Sequence, residues 1–161
     1  MSIRVKDAER WARLADLVLI IAREIQFRGY GDERAVALTA SEGMVMRFLQ
    51  GKPVAAPNEI AAAVGLQRSN LSTLLRGLES KGLIERRSST DDRRGVMVRL
   101  TERGAKNYVR VRREWGDAVS RAAAHDAHNL NAALRLLGEI EAGLVKMRPR
   151  QPGRDMARAA D

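Results

Sequence analysis

The apolar positions along this chain change their spacing several times, and each change marks an element. From Val5 to about Arg28, Trp11, Ala15, Val18, Ala22 and Ile25 recur at helical spacing. Leu14, Leu17, Ile20 and Ile21 widen that stripe until the middle of the segment is apolar on every side. A helix of roughly 35 Å needs more cover than one small domain supplies, so a second subunit is expected to provide it; the alternative is a central helix of a monomer. Gly29-Tyr30-Gly31-Asp32 breaks the pattern. In Leu38-Thr39-Ala40-Ser41-Glu42, Thr39 can N-cap and Glu42, three residues on, completes a capping box. The helix so opened carries Met44, Val45, Phe48 and Leu49 and stops at Gly51-Lys52-Pro53. A third helix starts near Pro57, a residue suited to the first helical position, and runs through Ile60 and Val64 to Gly65. After Gly65-Leu66-Gln67 a fourth extends from about Arg68 to Lys81, with Leu71, Leu74, Leu75 and Leu78 at i, i+3, i+4, i+7, and ends at Gly82.

The period then changes to two. Leu83-Ile84-Glu85-Arg86-Arg87 reads as a short strand, and Val96, Val98 and Leu100 alternate with Met97 and Arg99. Residues 88–95 between them have hairpin-loop chemistry. Thr101 caps a fifth helix through Tyr108, Val109, Val111, Trp115, Ala118 and Val119, fading near His125. A sixth, from about Ala127, shows Leu130, Leu134, Leu137, Ile140, Leu144 and Met147 on one side. The segment 148–161, with Pro149, Pro152 and Gly153, reads as a flexible or extended tail.

A short Ala-rich helix, a tight turn at Gly65 and a second helix with a polar outer face is the layout of a helix–turn–helix, and a basic hairpin directly after it makes a winged helix. Charge supports this placement. The chain has a formal net charge of +9, and residues 66–115 carry nearly all of it, with 13 Lys and Arg against 6 Asp and Glu. That points to a polyanion, most simply double-stranded DNA, although a solvated Arg-rich face would give the same totals. On the reader helix, Gln67 and Asn70 can pair with adenine and Arg68 and Arg76 with guanine, while Ser69, Ser72 and Thr73 suit phosphates or thymine methyls. Arg93 and Arg94 at the hairpin tip suit a narrow minor groove. Asp91 and Asp92 lie awkwardly close to phosphate. Either one pins the Arg94 guanidinium for insertion, or both are turn formers.

Composition removes other classes. With no cysteine there is no disulfide, thiolate metal site or thiol redox switch. The longest strongly apolar run, Leu17 to Ala22, is far short of the ~20 residues of a membrane span, and the first residues lack the layout of a secretory signal. The expectation is a soluble, cytoplasmic protein without membrane contact. Neither G-x-S-x-G nor a P-loop is present, so no enzyme and no cofactor are expected. His125-Asp126-Ala127-His128 offers two imidazoles and a carboxylate but no assured third ligand, so no metal site is assigned.

The motifs that fix the comparison are Leu38-Thr39, Asn58-Glu59-Ile60-Ala61 leading to Val64-Gly65-Leu66, and Leu74-Leu75 with Leu78-Glu79-Ser80-Lys81-Gly82-Leu83-Ile84. The most specific is Asp92-Arg93-Arg94-Gly95-Val96-Met97-Val98-Arg99-Leu100-Thr101-Glu102-Arg103-Gly104, an Asp-x-Arg, an alternating strand and then Leu-Thr-x-x-Gly. Together they resemble the multiple-antibiotic-resistance regulator (MarR) family of bacterial transcription factors, over roughly Val5 to Met147. The resemblance implies a mainly α fold with a small β-hairpin wing: a winged helix–turn–helix over 38–101, with N- and C-terminal helices, 5–30 and 102–147, forming a dimerisation region. It implies a homodimer on a pseudo-palindromic operator, usually a repressor, and a small aromatic or phenolic effector held between the two regions. Asp92 and Arg94 match the wing's paired residues, with Asp92 orienting the arginine, and Gln67 to Arg76 occupy the reading helix. Trp11, Met44 and Trp115 are candidate effector-pocket residues, although core positions at these spacings would look the same. Two positions depart from the family pattern. Ala56 stands where a Ser or Thr cap is common, and Gly77 lies inside the reader helix, where either something packs closely or the helix flexes. A sequence-indifferent architectural DNA-binding protein is the rival reading.

Overall fold

The computed structural model describes residues 5–88 and 95–149. Arg93, Arg94, Asp91 and Asp92 at the hairpin tip, and residues 150–161 of the tail, lie outside the described residues. Six helices and three strands are present among the described residues: α1 (Val5–Phe27), α2 (Ala40–Gly51), β1 (Val54–Ala55), α3 (Pro57–Val64), α4 (Arg68–Ser80), β2 (Ile84–Ser88), β3 (Val96–Leu100), α5 (Glu102–Ala122) and α6 (Leu130–Lys146). The fold is mainly helical with a small antiparallel sheet, a winged helix–turn–helix as expected. Residues up to Ala122 form one compact unit and those from Ala123 a second. No helix among the described residues is long and apolar enough to cross a membrane.

The first unit is built around buried Met46, Leu49, Ile60, Leu71, Leu78, Leu83, Val98 and Val111, so α2, α3, α4, the sheet and the first half of α5 share one core. Each boundary has a local cause. Thr39 Oγ1 accepts from the Glu42 backbone N–H at 3.2 Å, and the Glu42 carboxylate accepts from Thr39 N–H at 2.8 Å, completing the capping box. At α3 only half of that device exists. Ala56 has no side-chain acceptor, but Glu59 still reaches back to its N–H at 2.9 Å. Helices α3 and α4 both end in Schellman turns with left-handed glycines, Gly65 at φ +72 and Gly82 at φ +69. Leu66 N–H reaches Ala61 O at 3.1 Å, and Leu83 N–H reaches Leu78 O at 3.0 Å. Because the left-handed region is cheap only for glycine, these two residues set the tight turn into α4 and the abrupt exit toward the wing.

The sheet has the order β1-β3-β2. In the hairpin, Ile84 lies opposite Leu100 and Ser88 opposite Val96. Strand β1, which pairs Val54 with Arg99, has no counterpart in the sequence reading, since two residues carry no periodicity. The alternating face of β3 buries Val98 fully but leaves Val96 exposed at the open end.

The Leu-Thr-x-x-Gly motif has a structural explanation at the junction of wing and α5. Thr101 Oγ1 accepts from Gly104 N–H at 2.9 Å, capping α5, and its hydroxyl lies 2.9 Å from Gly82 O and 3.0 Å from Leu83 O. Gly104 then passes directly over the Leu83 backbone. A Cβ there would overlap the Leu83 carbonyl oxygen and come within 2.9 Å of its carbon and 3.0 Å of Leu100 Cδ1.

Helix α1 and the second unit are different in kind. Leu17, Val18, Leu19, Ile20 and Ile21 of α1 are all exposed, and α6 has no buried residue, with Leu134, Leu137 and Leu144 exposed. Helix α6 starts at Leu130 rather than near Ala127. Ala124 and His125 adopt positive φ, and the Asp126 carboxylate accepts from His128 N–H at 2.9 Å, a local bond that competes with helix.

Candidate nucleic-acid interface

Helix α4 buries Leu71, Leu75 and Leu78 and half-buries Leu74. At about 100° per residue these occupy one side, and the opposite side carries Ser69, Ser72, Thr73, Arg76 and Ser80. Every reader-helix residue selected from the sequence is exposed: Gln67 at the N-cap, Arg68, Ser69, Asn70, Ser72, Thr73 and Arg76. Gln67 makes no capping bond with its side chain, which leaves the carboxamide outside the helix's own hydrogen bonding. The Arg76 guanidinium donates to Thr73 Oγ1 at 3.3 Å, a neutral contact that keeps its charge on the surface. The exposed part of the helix therefore presents two cations, Arg68 and Arg76, and several short hydrogen-bonding groups.

Not all of the positive charge in this region faces outward. Arg86 at the start of the wing donates its Nε to Glu79 Oε2 at 2.8 Å, and its backbone N–H to Glu79 Oε1 at 3.2 Å. The Arg86 hydrogen bond holds the Glu79 carboxyl below the ordinary carboxylate range, against a smaller opposing effect of desolvation. This pair ties β2 to the end of α4. Arg87 pairs with Glu85 at 3.0 Å. Lys81, just past α4, donates to both oxygens of Glu42 at 2.7 and 2.8 Å and to Ala37 O at 3.0 Å. Glu42 is buried, so this bond fixes the C-terminal end of the reader helix against the N-terminus of α2. A Cβ at Gly77 would sit 3.5 Å from Glu42 Oε1, an ordinary van der Waals contact, so close packing does not demand glycine there.

Trp11 and Met44 are about half exposed. Trp115 packs against the core, with its ring so close to Gly43 that a Cβ there would lie 2.8 Å from Cη2. Its Nε1 is buried without a hydrogen-bond partner. A cavity of about 260 Å³ is lined by Trp115 together with Ile25, Arg28, Gly29, Tyr30, Glu114, Ala118 and Arg121. Sequence reasoning missed these other residues, because the end of α1, the loop after it and the second half of α5 meet only in three dimensions. No cluster of three or more His, Asp or Glu side chains suited to a metal ion occurs among the described residues.

Residues 38–96 match the family model of the MarR family. The transcriptional repressor MprA of Escherichia coli (strain K12) is 44% identical over 48 residues, 30% of this chain and 27% of that protein; the match thus spans about a quarter of the relative's length. Among solved structures, the transcriptional regulator BldR from Sulfolobus solfataricus superposes with a TM-score of 0.68 at 18% identity, covering 88% of this chain and 99% of that one. The PcaV transcriptional regulator from Streptomyces coelicolor, solved with its natural ligand, gives 0.58 at 19% identity, covering 89% and 98%. The structural likenesses concern the fold; the family model matches the segment that holds the helix–turn–helix and the start of β3. Residues 38–96 thus carry the chain's likeness to the MarR family.

Proposed function

We propose that the chain is a sequence-specific transcriptional regulator, a repressor, that binds double-stranded DNA as a homodimer on a pseudo-palindromic operator. The observation that carries this reading is α4 with its N-cap, where seven polar or cationic side chains stand exposed around a buried leucine ridge. Such a ridge fits the major groove, with bases read by bidentate side chains and phosphates by hydroxyls and cations. The similarity to the repressor MprA supports the same direction. Arg93 and Arg94, steadied by Asp92, are the groups assigned to the minor groove. Homodimerisation is supported by the exposed apolar side chains of α1 and α6, since apolar surface on this scale marks an interface.

The cavity beside Trp115 is the proposed effector site. Its volume of about 260 Å³ suits a single-ring molecule, being close to the lower end, ~300 Å³, of ordinary ligand pockets. Trp115 supplies an aromatic wall, and Arg28 and Arg121 supply positive charge. These features select a small aromatic acid or phenol. PcaV, solved with a natural ligand, is a precedent for effector binding on this fold. No catalytic step belongs to this reading.

The test is selection of duplexes from a random pool, followed by titration of the selected site against random duplex. A strong preference for one palindromic site is expected, and Arg76→Ala should weaken that site about tenfold or more, corresponding to ~1–3 kcal/mol for a lost bidentate base contact. A specificity ratio near unity would instead favour an architectural DNA-coating protein.

A further inference from the structure

Residues 28–39 join α1 to α2 without a strand or helix of their own, so their backbone groups must find partners elsewhere. Two side chains of α5 provide them. The Glu114 carboxylate accepts from Gly31 N–H at 2.8 Å and Asp32 N–H at 3.1 Å. The Asn107 carboxamide accepts from Val36 N–H at 2.7 Å and donates to Val36 O at 3.0 Å, as a neighbouring strand would. Asn107 and Glu114 are two helical turns apart and so share a face of α5.

Both ends of this segment lead somewhere. At the cavity end, Glu114 lines the pocket beside Trp115, and so does Tyr30, whose hydroxyl accepts from Leu38 N–H at 3.5 Å. At the other end, Ala37, next to the residue Asn107 holds, gives its carbonyl to Lys81, the residue that follows α4 and is locked to buried Glu42. The backbone of this segment, pinned by hydrogen bonds at these points, therefore connects the cavity wall to the residue that follows the reader helix.

We propose that segment 28–39 is a strap that couples the cavity to α4, with Glu114 and Lys81 as its two positioning residues. A ligand carboxylate drawn in by Arg28 and Arg121 would lie against the like charge of Glu114 and weaken its hold on Gly31 and Asp32. The loosened segment would then withdraw Ala37 from Lys81 and relax the last turn of α4. The inference rests on the preceding section for its use in the cell, whereas the coupling itself is measurable without DNA or effector.

Hydrogen exchange of the full chain, read by mass spectrometry at peptide level, tests it with Glu114→Ala, Lys81→Met and the double variant. Glu114→Ala is expected to speed exchange at least fivefold in residues 29–38 and also in 78–83, while α3 keeps wild-type protection. In the Lys81→Met background, adding Glu114→Ala should leave 78–83 unchanged within twofold. Glu114→Gln, which retains one acceptor oxygen, should give a smaller change of the same pattern and serves if the alanine variant is poorly folded. Acceleration confined to 29–38, spread equally over all helices, or reaching 78–83 regardless of Lys81 would overturn the proposal. Failure of the wild type to select a DNA site would remove the functional reading and leave this result standing.

Discussion

Gly104→Ala puts a methyl group where the Leu83 carbonyl already lies. An added Cβ would overlap that oxygen and stand 2.9 Å from the carbonyl carbon, and neither atom is the end of a flexible side chain that could swing aside. Relief requires the start of α5 to lift from the wing. Overpacking of this kind costs about 1–3 kcal/mol, and the upper end applies because both partners are backbone. Lifting α5 also pulls Gly104 N–H from Thr101 Oγ1, a cap of about 1 kcal/mol. Alanine returns about 1 kcal/mol of helix propensity, leaving a net loss of about 3 kcal/mol. For a chain of this length that lowers Tm by roughly 6–12 °C. The assay is urea and thermal unfolding at one fixed protein concentration, because the proposed homodimer would have a concentration-dependent Tm. Gly116→Ala, with no atom within 4 Å of its added Cβ, is the control and should be neutral or slightly stabilising. A Gly104→Ala variant as stable as wild type would refute the close-approach argument.

Three other outcomes are expected. Glu79, Glu59, Glu102 and Asp32 all have carboxyls held below their ordinary values by hydrogen bonds from Arg86, Lys52, Lys106 and Arg34 respectively. Depressed folded-state values stabilise above the unfolded pKa and lose that effect as pH falls through the folded ones. The urea midpoint should therefore hold from pH 7 to about 5 and decline below about 4.5, and a midpoint that rises on acidification would contradict the pairings. Thr39→Ala should cost about 1 kcal/mol through loss of the α2 cap, with Thr39→Ser restoring most of it in the same unfolding assay. Leu137→Asp should abolish dimerisation or the fold linked to it, seen by size-exclusion chromatography with circular dichroism; an unchanged dimer would exclude the exposed face of α6 from the interface.

The parts of this molecule legible in the sequence are those decided within a few residues. Gly65 and Gly82 mark the ends of α3 and α4 because left-handed backbone there nearly demands glycine, and Thr39 with Glu42 announces α2. The reader face follows from the leucine spacing of α4, since fixing the buried side of a helix fixes the exposed one. What escaped depends on distant partners. Glu42 was visible as the third residue of a cap but not as the counter-ion of Lys81, 39 positions away. Asn107 interrupts the inward stripe of Gly104, Tyr108 and Val111, and a polar residue in such a place is a signal that could have been followed; its partner Val36, 71 positions distant, could not. Of Trp11, Met44 and Trp115, Trp115 lines the cavity, and its other walls are not legible because helical spacing says which side of a helix is apolar and nothing about which neighbour it meets.

The internal pairing of basic residues near the wing changes how ionic strength should act on this protein. Counterion release counts only cations that reach phosphate, each contributing about −0.9 to the slope of log K against log salt. Arg86, Arg87 and Lys81 are occupied by Glu79, Glu85 and Glu42, and Lys106 is held by Glu102. On the proposed DNA-binding reading, the salt slope is therefore set by the cations left to reach phosphate, Arg68 and Arg76 among them, and falls short of what all 13 Lys and Arg of residues 66–115 would give.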